Sequence, residues 1–197
     1  IMGDWINPEQ PNGLVGYDQD GSWWGNMNLR DTVDYVVRAC PRHQFVFLTK
    51  RPKNYKKWGR FPDNAWLGAT VWNEESMIRA LYALTEAQRS TGTKLWLSVE
   101  PMYGPVVPKV WPAEWDEMSW VVIGCQSSPV KYPDVYWVEN LVMECIKAKK
   151  PVWLKNNLVS ALPPTIPFYV PNGAVDFGNV KASMEIKMMY RQELPSW

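Results

Sequence analysis

The chain contains a single histidine, His43, and only three cysteines, Cys40, Cys125 and Cys145, in 197 residues. His43 stands just before an apolar run, at the entrance of a strand, whereas α/β active sites gather at strand carboxyl ends. A Ser-His-Asp triad or a histidine-centred metal site is therefore not expected. The cysteines are odd in number and far apart, which excludes a disulfide framework and a zinc motif and makes a reducing, cytoplasmic setting the default expectation. No apolar run approaches the ~20 residues of a membrane span, so no membrane partner is expected. The formal net charge of +1 argues against nucleic-acid binding through global charge but permits a local basic patch. No G-x-G-x-x-G follows any apolar run, and the main signal of a dinucleotide-binding sheet is missing. The chain opens at Ile1 and Met2 inside an apparent strand, with no signal-peptide pattern. The expectation is that it forms the later part of a longer protein.

What is abundant is aromatic and extended: 13 Trp and 17 Pro. Most of the tryptophans are expected to serve core packing. Gln44 to Pro52, QFVFLTKRP, is an unbroken apolar run that stops at Thr49-Lys50-Arg51-Pro52. Val and Phe there predict a parallel-sheet strand buried on both faces. Pro52 cannot donate to a ladder and disfavours a helical Arg51, so the strand ends there. Two cations thus sit where a buried strand meets its loop.

The same logic predicts strands at Ile1–Ile6, Ala65–Trp72, Lys94–Val99, Ser119–Cys125 and Val152–Lys155. Helices are expected over Leu29–Cys40, with Asn28 as N-cap, over Glu74–Arg89 behind Asn73, and from Asp134 onward, ending in Lys147, Lys149 and Lys150. A loop over 7–26 and a Pro- and Trp-rich excursion over 102–118 interrupt the pattern. Alternating strands and helices predict βα units and a parallel sheet. Right-handed crossovers leave an open doubly wound sheet or a barrel, and six strands without the dinucleotide fingerprint favour a partial (β/α) barrel of TIM-like type over 1–158. An irregular C-terminal extension, 159–197, is expected to pack on it, with Met184–Glu193 a final element.

In such a fold the strand carboxyl ends converge on one mouth. The polar residues there are Asp4; Thr49, Lys50 and Arg51; Thr70, Asn73 and Glu74; Ser98 and Glu100; Gln126, Ser127 and Ser128; and Lys155, Asn156 and Asn157. The competing reading is that charged residues merely mark where strands surface. Lys50 to Arg60 adds six cations with Tyr55 and Trp58 between them, a composition that can grip phosphates and stack bases or form a solvated helix face.

Five motifs then occur in order: LTKRP at Leu48–Pro52, the strand from Trp66-Leu67-Gly68 to Trp72-Asn73-Glu74, SVEPM at Ser98–Met102 followed by Gly104-Pro105, WVVIG at Trp120–Gly124, and WLKNN at Trp153–Asn157. Together they resemble a family of phage and prophage proteins of unassigned function, distantly similar to radical SAM enzymes of the spore photoproduct lyase type. The resemblance covers roughly Ile1 to Leu158. It implies a barrel enzyme in which a C-x-x-x-C-x-x-C motif holds a [4Fe–4S] cluster and the open iron binds S-adenosylmethionine. No such motif is present, and it is expected upstream of Ile1. Two departures bear on substrate. Relatives tend to read G-G-E-S-G where this chain has Gly124-Cys125-Gln126-Ser127-Ser128, and K-Q-W-G where it has Lys155-Asn156-Asn157-Leu158. The resemblance places Gly3 and Asp4 at the methionine amino group and Ser98 and Glu100 at the ribose or amine. It places Lys50 or Arg51 at a carboxylate or substrate phosphate. Gln126, Lys155 and Asn156 complete the candidate substrate or anion set.

Three functions follow from these readings. The first is a radical-SAM-like enzyme of unknown substrate. The second is a non-catalytic phage module that contacts nucleic acid or a protein through Lys50–Arg60. The third is a barrel enzyme for a phosphorylated small molecule, clamped by Lys50, Arg51 and Lys155.

Overall fold

The computed structural model describes residues 29–89, 92–158 and 194–195. The expected strand at Ile1–Ile6, the Asn28 cap, the 7–26 loop and the Met184–Glu193 element lie outside them, as do the candidate residues Gly3 and Asp4.

Helix α1, Leu29–Ala39, leads into strand β1, Phe45–Thr49. Pro52 then starts a 3-10 turn, Pro52–Asn54, that runs into a single helical turn, α2, Tyr55–Trp58. Strand β2, Ala65–Val71, precedes α3, Glu74–Gln88. Helix α3 begins sharply because Asn73 and Ser76 form a reciprocal capping box: each side chain accepts from the other residue's backbone N–H. Strands β3, Lys94–Val99, and β4, Met118–Ile123, follow. A two-stranded antiparallel ribbon comes next, β5, Gln126–Ser127, with β6, Val130–Lys131. Helix α4, Val135–Lys147, is capped by Asp134 and leads to β7, Val152–Leu154, and a 3-10 turn, Asn156–Leu158.

The five main strands form one parallel sheet in the order β1-β2-β3-β4-β7. Every step moves to the next position in the same direction. With right-handed crossovers such a sheet carries all its connecting helices on one face, unlike a doubly wound sheet, whose order reverses. Among the described residues the sheet is open, and no closed barrel forms.

Strand alternation then sorts the residues. Towards the helices point Ala65, Leu67, Ala69 and Val71 of β2, Leu95, Leu97 and Val99 of β3, Val121 and Ile123 of β4, and Val152 and Leu154 of β7. They form one core with Met77, Leu81 and Leu84 of α3 and Val138, Leu141 and Cys145 of α4. On the other face Trp66, Trp96 and Val122 form a second cluster, flanked by half-buried Trp120 and Trp153.

The expectation that β1 is buried on both faces fails. Phe45, Phe47 and Thr49 turn to the helix side, but Val46 and Leu48 on the opposite face are each 41% exposed. An apolar run records how hydrophobic a strand is, not whether both its faces are covered. The basic segment is also reordered: Tyr55 and Trp58 are 1% and 6% exposed. Tyr55 donates its hydroxyl to the Gly68 carbonyl at 2.9 Å, and Trp58 stacks on Phe61 with centroids 5.5 Å apart. These rings are anchors that hold α2 onto the sheet, and they offer no face to a base.

Lys150, expected in the last turn of α4, lies beyond that helix and is buried. Its ammonium donates to the carbonyls of Asp116 at 3.1 Å and Met118 at 2.8 Å and sits 5.0 Å above the Trp115 ring. It ties the entrance of β4 to the turn before β7. Burial pushes its pKa down, with Asp116 pulling weakly the other way. In the unfolded chain the group stays protonated up to about 10.4, so over that interval the unfolded state binds more protons and stability rises with pH. Lys150→Met is expected to cost about 1–3 kcal/mol through the two carbonyls left without this donor. It should also remove that rise, which urea titrations of both proteins at stepped pH would read as the wild-type minus variant difference.

Candidate functional site at the strand carboxyl ends

The face opposite the helices is built in rows set by the strand register. Leu48 stands beside Gly68, then Trp96, then Trp120. One step closer to the carboxyl ends stand Thr70, Ser98, Val122 and Trp153. Past the strand ends the next row is Glu100, Gly124 and Lys155, tied by backbone bonds from Gly124 to Val99 and from Lys155 to Ile123. The face is therefore aromatic below and charged above. A cavity of about 380 Å³ opens on it, lined by Trp96, Trp120, Val122 and Trp153 with Ser98, Glu100 and Lys155 at its polar end. That volume is within the range of small-molecule sites, roughly 300–1,000 Å³.

Two glycines make these rows possible. A Cβ on Gly68 would lie 2.2 Å from the Trp96 indole and 2.8 Å from the Phe47 carbonyl. The absent side chain is the space that Trp96 fills, and its indole N–H there donates to the Phe47 carbonyl at 2.9 Å. A Cβ on Gly124 would lie 2.8 Å from the Glu100 carboxyl and from Cδ of Lys155, so Gly124 is the floor on which those two side chains meet.

Glu100 and Lys155 form an ion pair across that floor, with side chains 19% and 43% exposed. Asn157 finishes the arrangement. Its amide N–H groups donate to Glu100 Oε1 at 3.2 Å and to the Cys125 carbonyl at 2.9 Å, and its Oδ1 accepts from the Cys125 N–H at 3.3 Å. The Cys125 thiol donates to the Asn157 carbonyl at 3.0 Å. Burial raises the pKa of that thiol, and the Glu100 carboxylate raises it further, so Cys125 is a packed thiol and not a thiolate nucleophile.

Beside this centre the ribbon β5–β6 follows β4. Gln126 accepts from the Tyr103 hydroxyl at 2.9 Å, and Lys131 lies 5.2 Å over the Tyr103 ring. The loop after β3 is thereby latched to the loop after β4.

The structure brings together Ser98, Glu100 and Lys155 at one cavity, whereas Gln126, in the ribbon after β4, does not line it and bonds to Tyr103. Asn156 is exposed at the start of the last 3-10 turn, and its neighbour Asn157 makes the contacts at the centre. Lys50 and Arg51 are exposed beyond β1 and do not line the cavity. Of the basic segment, Lys56 pairs with Glu86 at 2.5 Å, and the Arg60 carbonyl accepts from Arg38. Sequence reading placed Asn157 at a strand end but left it out of the substrate or anion set, and it assigned no role there to Gly124, Gly68 or the three indoles. The signal for the indoles was present as a period-two spacing: Trp66-Gly68-Thr70, Trp96-Ser98-Glu100, Trp120-Val122-Gly124 and Trp153-Lys155-Asn157.

Among the described residues no three His, Cys, Asp or Glu side chains are grouped to hold a metal, and Cys40, Cys125 and Cys145 are in no disulfide. No helix of the described residues is long and apolar enough to cross a membrane. A family model described as a protein of unknown function (DUF5131) matches residues 26–158, the stretch that carries the five described strands of the sheet. No curated protein and no solved structure matches the chain.

Proposed function

For this chain, which belongs to the DUF5131 family, we propose that the face of the described sheet opposite its helices is the inner wall of a partial (β/α) barrel of radical-SAM-like type. The polar end of that wall takes S-adenosylmethionine as its cofactor in a phage-associated protein. The observation that carries the reading is the meeting, at one cavity, of a carboxylate, an ammonium, a hydroxyl and three indoles. An amino-acid head group needs an anion for its ammonium and a cation for its carboxylate, and Glu100 and Lys155 offer both. Ser98 supplies a hydroxyl for a ribose, and Trp96, Trp120 and Trp153 supply apolar area for a purine.

Such a cofactor, given one electron by a donor outside the described residues, would break its S–C5′ bond to release methionine and leave a 5′-carbon radical able to take a hydrogen atom. The described residues do not fit an iron-sulfur cluster: they hold no trio of neighbouring thiolates. Their own work is to bind and orient. Gly124 lets the two charges approach, Asn157 fixes the Glu100 carboxylate, and the indoles exclude water below it.

Isothermal titration with S-adenosylhomocysteine, which carries the same head group, ribose and base, tests this. Binding is expected, with Glu100→Gln and Lys155→Gln each weakening it about tenfold or more. Arg79→Ala, on the outer surface of α3 and paired with Glu75, should leave it unchanged. No heat with the wild-type chain at millimolar ligand, or equal affinity in all four proteins, would refute the reading.

A further inference from the structure

Leu194 and Pro195, far downstream of the last element of the sheet, return to it. Leu194 lines the same cavity as Trp96, Trp120 and Trp153, and Pro195 is buried. Leu194 is itself 57% exposed, so it lines the cavity from its edge and is not packed into the floor. On one side it meets the aromatic rows; on the other it meets solvent. A leucine that gives up solvent on one flank only gains a fraction of the ~1.5–3 kcal/mol of full burial. Proline adds a fixed backbone that loses little freedom on docking. A contact of that strength is reversible.

We infer that Leu194-Pro195 is an intramolecular strap at the edge of the tryptophan-lined cavity, and that a ligand filling more than its open volume of about 380 Å³ must displace it to spread over Trp120 and Trp153. The occupant of this apolar face is thus the chain's own Leu194-Pro195 segment. The charged row needs no such cover, because Glu100 and Lys155 neutralise each other. The proposal adds regulation to the ligand site above and rests on that reading only for its ligand arm. Strap and ligand compete for one apolar surface, so the affinity of the site includes the cost of lifting the strap.

Hydroxyl-radical footprinting followed by peptide mass spectrometry reads the strap without any ligand. Trp120 and Trp153 are half-buried, whereas Trp58 and Trp115 are buried elsewhere and serve as internal references. Deleting the chain from Leu194 onward, or Leu194→Asp, is expected to raise oxidation of Trp120 and Trp153 at least twofold and leave Trp58 and Trp115 unchanged. Leu194→Ala, which adds no charge, should give a smaller rise at the same two residues. Unchanged oxidation of Trp120 and Trp153 in all three variants overturns the strap, as does a rise shared equally by all four tryptophans in Leu194→Ala. In the second arm the deletion should tighten S-adenosylhomocysteine binding severalfold. If neither protein binds it while footprinting changes as expected, the cofactor reading fails and the strap stands.

Discussion

Gly68→Ala is expected to lower the melting temperature by about 5–10 °C, the result of overpacking worth about 2–3 kcal/mol in a chain of this size. The new methyl would sit 2.2 Å from two atoms of the Trp96 indole and 2.8 Å from the Phe47 carbonyl. The carbonyl belongs to the neighbouring strand in direct register, Leu48 opposite Gly68, and moves only if β1 moves. The indole is held by its own bond to that carbonyl and by Trp120, 5.5 Å away between ring centres. Tyr55 grips the same residue from the helix side. Neither neighbour can yield cheaply, so the substitution should loosen β1 against β2 and tilt Trp96 into the cavity. Gly104→Ala is the fitting control, since its Cβ would meet nothing nearer than Asn73 at 3.9 Å, and a change within about 0.5 kcal/mol is expected. Thermal unfolding followed by circular dichroism compares the two. Equal midpoints would mean that the indole does not occupy the space above Gly68.

Asn157→Asp should have an effect of similar size and a distinctive pH dependence. The amide donates to Glu100 and to the Cys125 carbonyl; a carboxylate at that position can only accept. Two donors vanish, and a second negative charge arrives about 3 Å from Glu100. The expected cost at pH 7 is about 2–3 kcal/mol, combining lost charge-assisted hydrogen bonds with like-charge repulsion only partly offset by Lys155. The introduced carboxyl, facing the Glu100 carboxylate, then holds its proton more tightly in the folded state than in the unfolded chain. The folded state therefore binds more protons over that interval, and stability falls as pH rises from about 4 through the raised folded value. Chemical denaturation should show the variant closest to wild type in mild acid and furthest from it at neutrality. A constant difference across that range would mean that Asn157 does not face Glu100.

The strands were readable because each is a short apolar run closed by a residue that cannot continue it. Lys94–Val99 was legible to the residue, and Ala65 and Val152 were correctly expected to open their strands. The caps Asn73 and Asp134 were readable for the same local reason, since a side chain that accepts from the first turn announces itself in sequence. What escaped depends on partners distant in the chain. Val46 and Leu48 read as buried because their hydrophobicity is local, whereas their cover is not. Tyr55 and Trp58 read as a possible stacking surface because cations surround them, yet Gly68 and Phe61 claim their rings. Lys150 read as one more cation near a helix end, and only the carbonyls of Asp116 and Met118 reveal its role. At the mouth, Ser98, Glu100 and Lys155 were found by the rule that ligands gather at strand carboxyl ends. Asn157 was passed over for Asn156, because nothing in two adjacent asparagines says which of them the last turn aims inward.

The mutual neutralisation of Glu100 and Lys155 has a kinetic corollary. A pair with no net charge exerts little long-range pull of its own, and at physiological ionic strength the field of its dipole fades within about 8 Å. Visitors reach it by unassisted diffusion, so association should proceed at a similar speed in dilute buffer and in half-molar salt. On the cofactor reading proposed above, discrimination falls to the last few ångströms, where the zwitterionic head group would trade places with the protein's own two charges at once.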